Sequence, residues 1–357
     1  NIEGEYFVWT KKELTNIFDN NDLNLICDFF GIKENGNFEG SNVLHLPINE
    51  KEFLEKHNIK SSKIETLIQK LIHERNKRTK PNLDTKILTS WNGLMLGAFA
   101  EAGVVLNNNH YTEVANINAK YIINIYKNHG MLLRDNNSKN ASRGFLEDYA
   151  YFIDGLLKLH ESNLNKEILN NALEITEDMK NLFWDNSSNS LYDTSIYHEK
   201  LIKRPKDLYD NAVPSPNSVS AQILMKLSII TNNDEYKNIS DQLIKSSINL
   251  MNKFPNASGN WLCNLSYLLS TVKEIVVVGN PYDEELVKLK LQIHKTFIPN
   301  KIVVGKNYSS TEENYSELLL LKNKISLNNK PTIYICQNYQ CKLPVNTIEE
   351  LTKQLID

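Results

Sequence analysis

Three stretches of this chain repeat one pattern, and no other feature constrains the fold as tightly. Residues 98–111 (AFAEAGVVLNNNHY), 155–168 (GLLKLHESNLNKEI) and 223–236 (ILMKLSIITNNDEY) align without gaps. Each is an apolar helix end, a polar turn of Asn, Ser or Asp, and an anchor (Tyr111, Ile168 or Tyr236) that opens a second helix. Helix, short turn, helix is an αα-hairpin. The first helix of each pair is rich in small and apolar residues, as in Trp91–Ala100, and the second is more amphipathic and charged. An apolar inner helix and a half-exposed outer helix suit a ring of hairpins. Between hairpins lie long loops with strand-like pieces, Met131–Arg134 and Ser190–Asp193. They favour a ring over a flat solenoid.

Further helices are expected near Leu23–Phe30, Ser62–Lys77 and Trp261–Leu269, with Thr10 and Glu13 as a capping box behind a strand piece at Gly4–Trp9. Twelve helices would close a six-hairpin ring, and fewer are found. Because the chain opens at Asn1 on what elsewhere follows a hairpin, earlier hairpins are expected upstream. From residue 271 the periodicity changes. Glu274–Gly279, Lys301–Gly305 and Thr332–Cys336 read as buried strands, alternating with helices near Asp283–Phe297, Glu312–Lys322 and Thr347–Leu355. The expected architecture is therefore mainly α. Residues 1–270 form an incomplete (α/α)6 toroid of helical hairpins, and residues 271–357 a small βαβαβα lobe with a parallel sheet.

Composition narrows the function classes. Forty basic against forty-three acidic residues give a net charge of −3, which offers no phosphate-tracking surface, so nucleic acid is not an expected partner. No apolar run reaches the roughly 18 residues of a membrane span. Four scattered cysteines do not make a disulfide scaffold. A reducing, cytoplasmic setting follows as the expectation. Cys336 and Cys341 have the wrong spacing for a thioredoxin-type pair and lack partners for a zinc site. Gln337–Gln340 reads as a loop folding back, so two free thiols in close proximity are expected there, Cys336 buried and Cys341 packed under the Pro344 loop. No cofactor or metal motif is found; Gly279-Asn280-Pro281 lacks the further glycines of a phosphate loop.

Carrying the repeat register seven residues upstream makes Trp91, Asp148 and Pro216 equivalent. Their neighbours are then equivalent too: Ser90, Glu147 and Ser215 before them, Asn92, Tyr149 and Asn217 after. Equivalent positions in a ring converge at one mouth, and aromatic faces, amides and carboxylates there suit a sugar-like ligand. The candidate catalytic residues are Glu147, Asp148 and Asp210; the candidate substrate-binding residues are Trp91, Asn92, Tyr149, Arg204, Tyr209, Ser215 and Asn217. Glycoside chemistry needs two carboxyls facing one bond. Glu147 and Asp148, adjacent on a helix, diverge too far to pair with each other, so Asp210 is the candidate partner. Capping and macrodipole roles compete for Ser90, Ser215, Asn217, Glu147 and Asp148. His129 and His198 read as exposed loop residues, and Arg134, Arg143, Arg204 and Lys206 as anion binders or solvated charges.

Several stretches carry a family resemblance: Glu5–Thr10 (EYFVWT), Gly36–Gly40 (GNFEG), Lys86–Met95 (KILTSWNGLM), Gly144–Ala150 (GFLEDYA), Arg204–Asp210 (RPKDLYD), Pro214–Val219 (PSPNSV), and Tyr334–Cys341 (YICQNYQC) with Pro344. In order along nearly the whole chain, they resemble the thioredoxin domain-containing proteins of the spermatogenesis-associated protein 20 family. The resemblance implies a barrel similar to six-hairpin glycosidases and N-acylglucosamine 2-epimerases, and hence a glycosidase- or epimerase-like activity by analogy of fold. It also implies that a thioredoxin-like domain and the first barrel helices are missing from this chain, and that this domain packs on the barrel. Asn211 and Pro216 stand where many members have glycine.

Overall fold

The computed structural model describes residues 4–135, 142–200, 202–307 and 318–356. The chain divides into two compact units, Asn1–Thr85 and Lys86–Asp357.

The first unit is a small helical cluster: α1 (Lys11–Thr15), α2 (Asn20–Phe29), α3 (Glu50–His57) and α4 (Ser61–Asn76). Thr10 and Glu13 form the expected capping box on α1. Leu14, Ile26, Phe29, Phe53, Ile64 and Leu67 make the core. Gly4–Trp9 is not a strand: it is mostly turn, and only Trp9 bridges, to Asn42. Arg78 binds the carbonyls of Glu5, Tyr6 and Val8, which holds the segment in this turned form.

The second unit contains the repeat. α5 (Thr89–Val105) pairs with α6 (Asn109–His129), α7 (Leu146–Asn163) with α8 (Lys166–Phe183), and α9 (Pro216–Thr231) with α10 (Asp234–Ser246). The first helix of each pair packs on its counterpart in the next, α5 on α7 and α7 on α9. The hairpins form an open arc of an α/α toroid, not a closed ring. α5 and α7 approach through glycines: a Cβ on Gly93 would lie 2.5 Å from the Phe152 nitrogen, and one on Gly155 2.6 Å from the Gly93 oxygen. Short helix α11 (Ile248–Lys253) leads to α12 (Gly259–Leu269), which packs on α9 and α10. Strand pieces β1 (Trp184–Asp185) and β2 (Ser190–Leu191) form a small antiparallel pair.

The C-terminal sheet holds β3 (Lys273–Val278), β4 (Lys301–Lys306), β5 (Thr332–Gln337) and β6 (Gln340–Cys341) in the order β4-β3-β5-β6, with α13 (Glu284–Lys295) and α14 (Ile348–Ile356) alongside. Val276, Val278, Ile302 and Val304 join the hairpin core, while Ile275, Val277 and Val303 pack with α13 and α14 residues such as Leu289 and Leu351. Burial on both faces explains the continuous apolar runs. β3 and β4 are parallel as expected, but β5 runs antiparallel to β3, so the sheet is mixed. The helix expected at 312–322 falls mainly outside the described residues; Leu319–Leu321 form a 3-10 turn.

Cys336 is buried and lies opposite Cys341 as expected, but the free-thiol expectation is overturned. Cys336 and Cys341 are joined by a disulfide, with Cα atoms 3.9 Å apart, and Cys341 is exposed rather than packed under a loop. The cause is a two-residue hairpin: Asn338 and Tyr339 both take left-handed φ angles, 49° and 61°. This brings the two cysteines opposite each other on β5 and β6.

Candidate functional site

The starts of α5, α7 and α9 are held by the residues that the repeat register aligns, and most of these are occupied with backbone groups. Asp148 is fully buried. It accepts hydrogen bonds from the Ser90 and Phe145 N–H groups at 2.9 and 2.8 Å and pairs with Arg134, so one carboxylate satisfies the first turns of both α5 and α7. Burial pushes its pKa up to about 6 against the lowering effect of the Phe145 N–H and Arg134. Asp210 does similar work between α9 and α12. It accepts from Ser215 N–H at 2.7 Å, Ser218 hydroxyl at 2.9 Å, and the Asn260 and Trp261 N–H groups at 2.8 and 3.3 Å. Ser215 caps α9 and donates its hydroxyl to Asp207 O.

The neighbouring register position fastens the inter-hairpin strand pieces. Tyr149 accepts the Leu132 N–H on its hydroxyl at 3.2 Å. Asn217 accepts the Leu191 N–H at 2.7 Å and donates to Leu191 O at 3.0 Å. Asn92 turns toward the outer helix, where its Oδ1 accepts from Asn118 at 2.7 Å. Trp91, by contrast, is 65% exposed.

A cleft of about 300 Å³ opens beside these helix starts, lined by Arg134, Phe145, Glu147, Asp193, Asp207 and Pro216. Glu147 is the one candidate from the register analysis that lines it. Arg134 bridges Glu147 and Asp148, and its guanidinium lies 5.1 Å from the Phe145 ring centre. The Asp193 carboxylate accepts the Asp207 N–H at 2.9 Å. Burial raises its pKa from the ordinary aspartate value against the lowering effect of the Asp207 N–H, and the charges of Asp207 and Glu147 add to the rise. Asp193 and Asp207 were not singled out by sequence, and it is the structure that relates Asp193 to the repeat. With Leu132 and Leu191 set equivalent, as their matching fasteners indicate, Arg134 and Asp193 share one register position.

The other basic candidates are engaged. Arg204 donates to Thr194 O and covers the Tyr192 ring at 3.9 Å, and Lys206 pairs with Asp185 at 2.6 Å. Arg143 lies over Tyr197. Tyr209 is half exposed against Phe254. His198 is not an exposed loop residue: its ring packs on Phe145, and its Nδ1 faces both the N–H and the hydroxyl of Ser195, at 3.0 and 2.8 Å. Among the described residues no group of three or more His, Cys, Asp and Glu could hold a metal ion, and no helix is long and apolar enough to cross a membrane.

No family model matches the chain. Solved structures with a similar course include an inactive variant of the α-1,6-mannanase GH76A of Salegentibacter sp. HEL1_6 in complex with an α-1,6-mannotetraose (17% identical, 67% of this chain and 70% of that one, TM-score 0.38). Another is a GH76 α-mannanase of Bacteroides thetaiotaomicron (14% identical, 77% and 76%, TM-score 0.41). An uncharacterised protein of Caenorhabditis elegans is 24% identical over 379 residues. Spermatogenesis-associated protein 20 is 29% identical in human and 28% in mouse over 392 aligned residues. Those alignments take in 99% of this chain and 49% of each relative, so the chain spans about half the length of the curated relatives it matches. The chain is a homologue of spermatogenesis-associated protein 20.

Proposed function

We propose that the cleft beside Phe145 binds a carbohydrate and that Glu147, Asp193 and Asp207 are the groups available for acid–base work on it. One observation carries this reading: three carboxylates from three segments converge on one cleft with an aromatic ring and a guanidinium. Asp148 and Asp210, by contrast, are saturated by helix-terminal donors. A carboxyl whose pKa is raised by burial and by like charges suits proton donation, and a second carboxylate nearby suits the complementary role. Asp193 is the proposed acid, with Glu147 or Asp207 as the base. Hydrolysis fits this set better than epimerisation, because the histidine packed on Phe145, His198, has its Nδ1 engaged by Ser195.

The competing reading is a non-catalytic scaffold that presents a thioredoxin-like domain packed on the arc. It is favoured by the same saturation of Asp148, Asp210 and Asn217, which leaves much of the aligned ring with a fastening role. A thermal-shift screen of oligosaccharides, monosaccharides and sugar phosphates on the intact, full-length protein separates the two. The carbohydrate reading expects stabilisation by at least one sugar, reduced at least tenfold in apparent affinity by Asp193→Asn. That variant keeps an oxygen for the Asp207 N–H. No response to any sugar from a well-folded protein favours the scaffold.

A further inference from the structure

At the opposite end of the hairpins, where their turns meet the sheet, a second cavity of about 210 Å³ holds a buried ammonium group. Lys290, in the middle of α13, is only 5% exposed. Its Nζ donates to the carbonyl of Ser162 near the C-terminus of α7, which accounts for one of its three protons. No carboxylate pairs with it among the described residues, and its pKa falls to about 8 through burial alone. A buried cation without a counter-charge is costly unless something anionic reaches it.

The cavity supplies what an anion would need. Asn116, Asn163 and Thr112 line it together with Lys290. Asn116 takes the Asn163 amide on its Oδ1 at 2.9 Å, which leaves its own NH2 to donate. Pro281 and Tyr282, in the loop beyond the carboxyl end of β3, form another wall, the place where α/β sheets commonly take ligands. Glu113 stands at the rim and is exposed.

We propose that this cavity is a binding site for a compact oxyanion, a phosphoryl or carboxylate group, held by the Lys290 ammonium and the Asn116 amide. The inference does not depend on the carbohydrate reading of the other cleft. It is tested by titrating inorganic phosphate and, separately, sodium acetate into the full chain at constant ionic strength, with calorimetric and thermal-shift readouts. At least one of the two is expected to bind and raise Tm; the stronger responder identifies the ligand class. Lys290→Met, a substitution of similar length, should abolish the response. Asn116→Ala, which leaves the Lys290–Ser162 bond in place, should weaken it at least threefold in a folded protein. No binding of either anion to the wild type overturns the proposal, as does a response unchanged in a folded Lys290→Met or Asn116→Ala variant.

Discussion

The side-chain amide of Asn217 closes a two-point clasp on the backbone of Leu191, accepting its N–H at 2.7 Å and donating to its carbonyl at 3.0 Å. Both residues are buried. One repeat earlier, Tyr149 holds the N–H of Leu132 in the same way. α7 and α9 thus carry, at one register position, the fastener for the strand piece that precedes each of them. Asn217→Ala would strand two buried backbone groups, and a loss of about 2–4 kcal/mol in urea unfolding is expected. Tyr149→Phe, which strands one, should cost about 1–2 kcal/mol. A change below about 0.5 kcal/mol for Asn217→Ala would contradict the fastening role.

His160 links the hairpins to the sheet and gives the fold a pH dependence. Its Nδ1 donates to Asn165 O at 2.9 Å and its Nε2 accepts the Gly305 N–H at 3.3 Å, so both nitrogens are committed to the neutral ring. Burial lowers its pKa from 6.5 to about 4. The folded pKa lies below the unfolded one, so the unfolded chain binds this proton more tightly. The stabilisation is complete above about pH 6.5 and is lost as pH falls toward 4. About 2 kcal/mol should disappear between pH 7 and pH 5 on this account. Comparing wild type with His160→Gln by urea unfolding at both pH values checks it: the variant should be weaker at pH 7 and show a flatter pH profile. Parallel profiles would contradict the assignment.

The hairpin disulfide makes a direct chemical prediction. Denatured in the absence of reductant, the chain should expose only the two thiols of Cys27 and Cys263. After reduction all four cysteines of the sequence should react. The closed loop is short, so Cys341→Ser should cost about 2 kcal/mol in the loop-entropy picture. Four reactive thiols without reductant would restore the free-thiol expectation.

What the sequence made legible, and what it hid, follows from physical causes. The hairpins were readable because each must bury an apolar inner helix, which prints the same pattern three times. β3, β4 and β5 were readable as buried strands, but a run buried on both faces carries no mark of direction, so the reversal of β5 was not visible. The fold-back after Cys336 was readable at Gln337–Gln340, but its two-residue form was not, because the turn is Asn338-Tyr339, whereas the recognisable signal for two left-handed residues is Asn-Gly. The disulfide across it was missed because the expected reducing setting argued for free thiols. At the site, Glu147 was found through the register. Asp193 and Asp207 were missed because they lie on the loop side of the cleft, where no helical period points to them. Asp148 and Asp210 drew attention as carboxylates; Asp148 stands in the first turn of α7 and Asp210 in the loop against the starts of α9 and α12, where free N–H groups take them up.

The central claim, that the Arg134–Phe145 cleft is a carbohydrate site served by Asp193, is tested most directly by hydrogen exchange. Amide exchange of the full-length protein would be followed with and without the most stabilising sugar. The account predicts added protection confined to 143–147 and 192–207, and its loss in Asp193→Asn without any change in unliganded exchange elsewhere. Protection that falls on other segments, or that persists in Asp193→Asn, would contradict it.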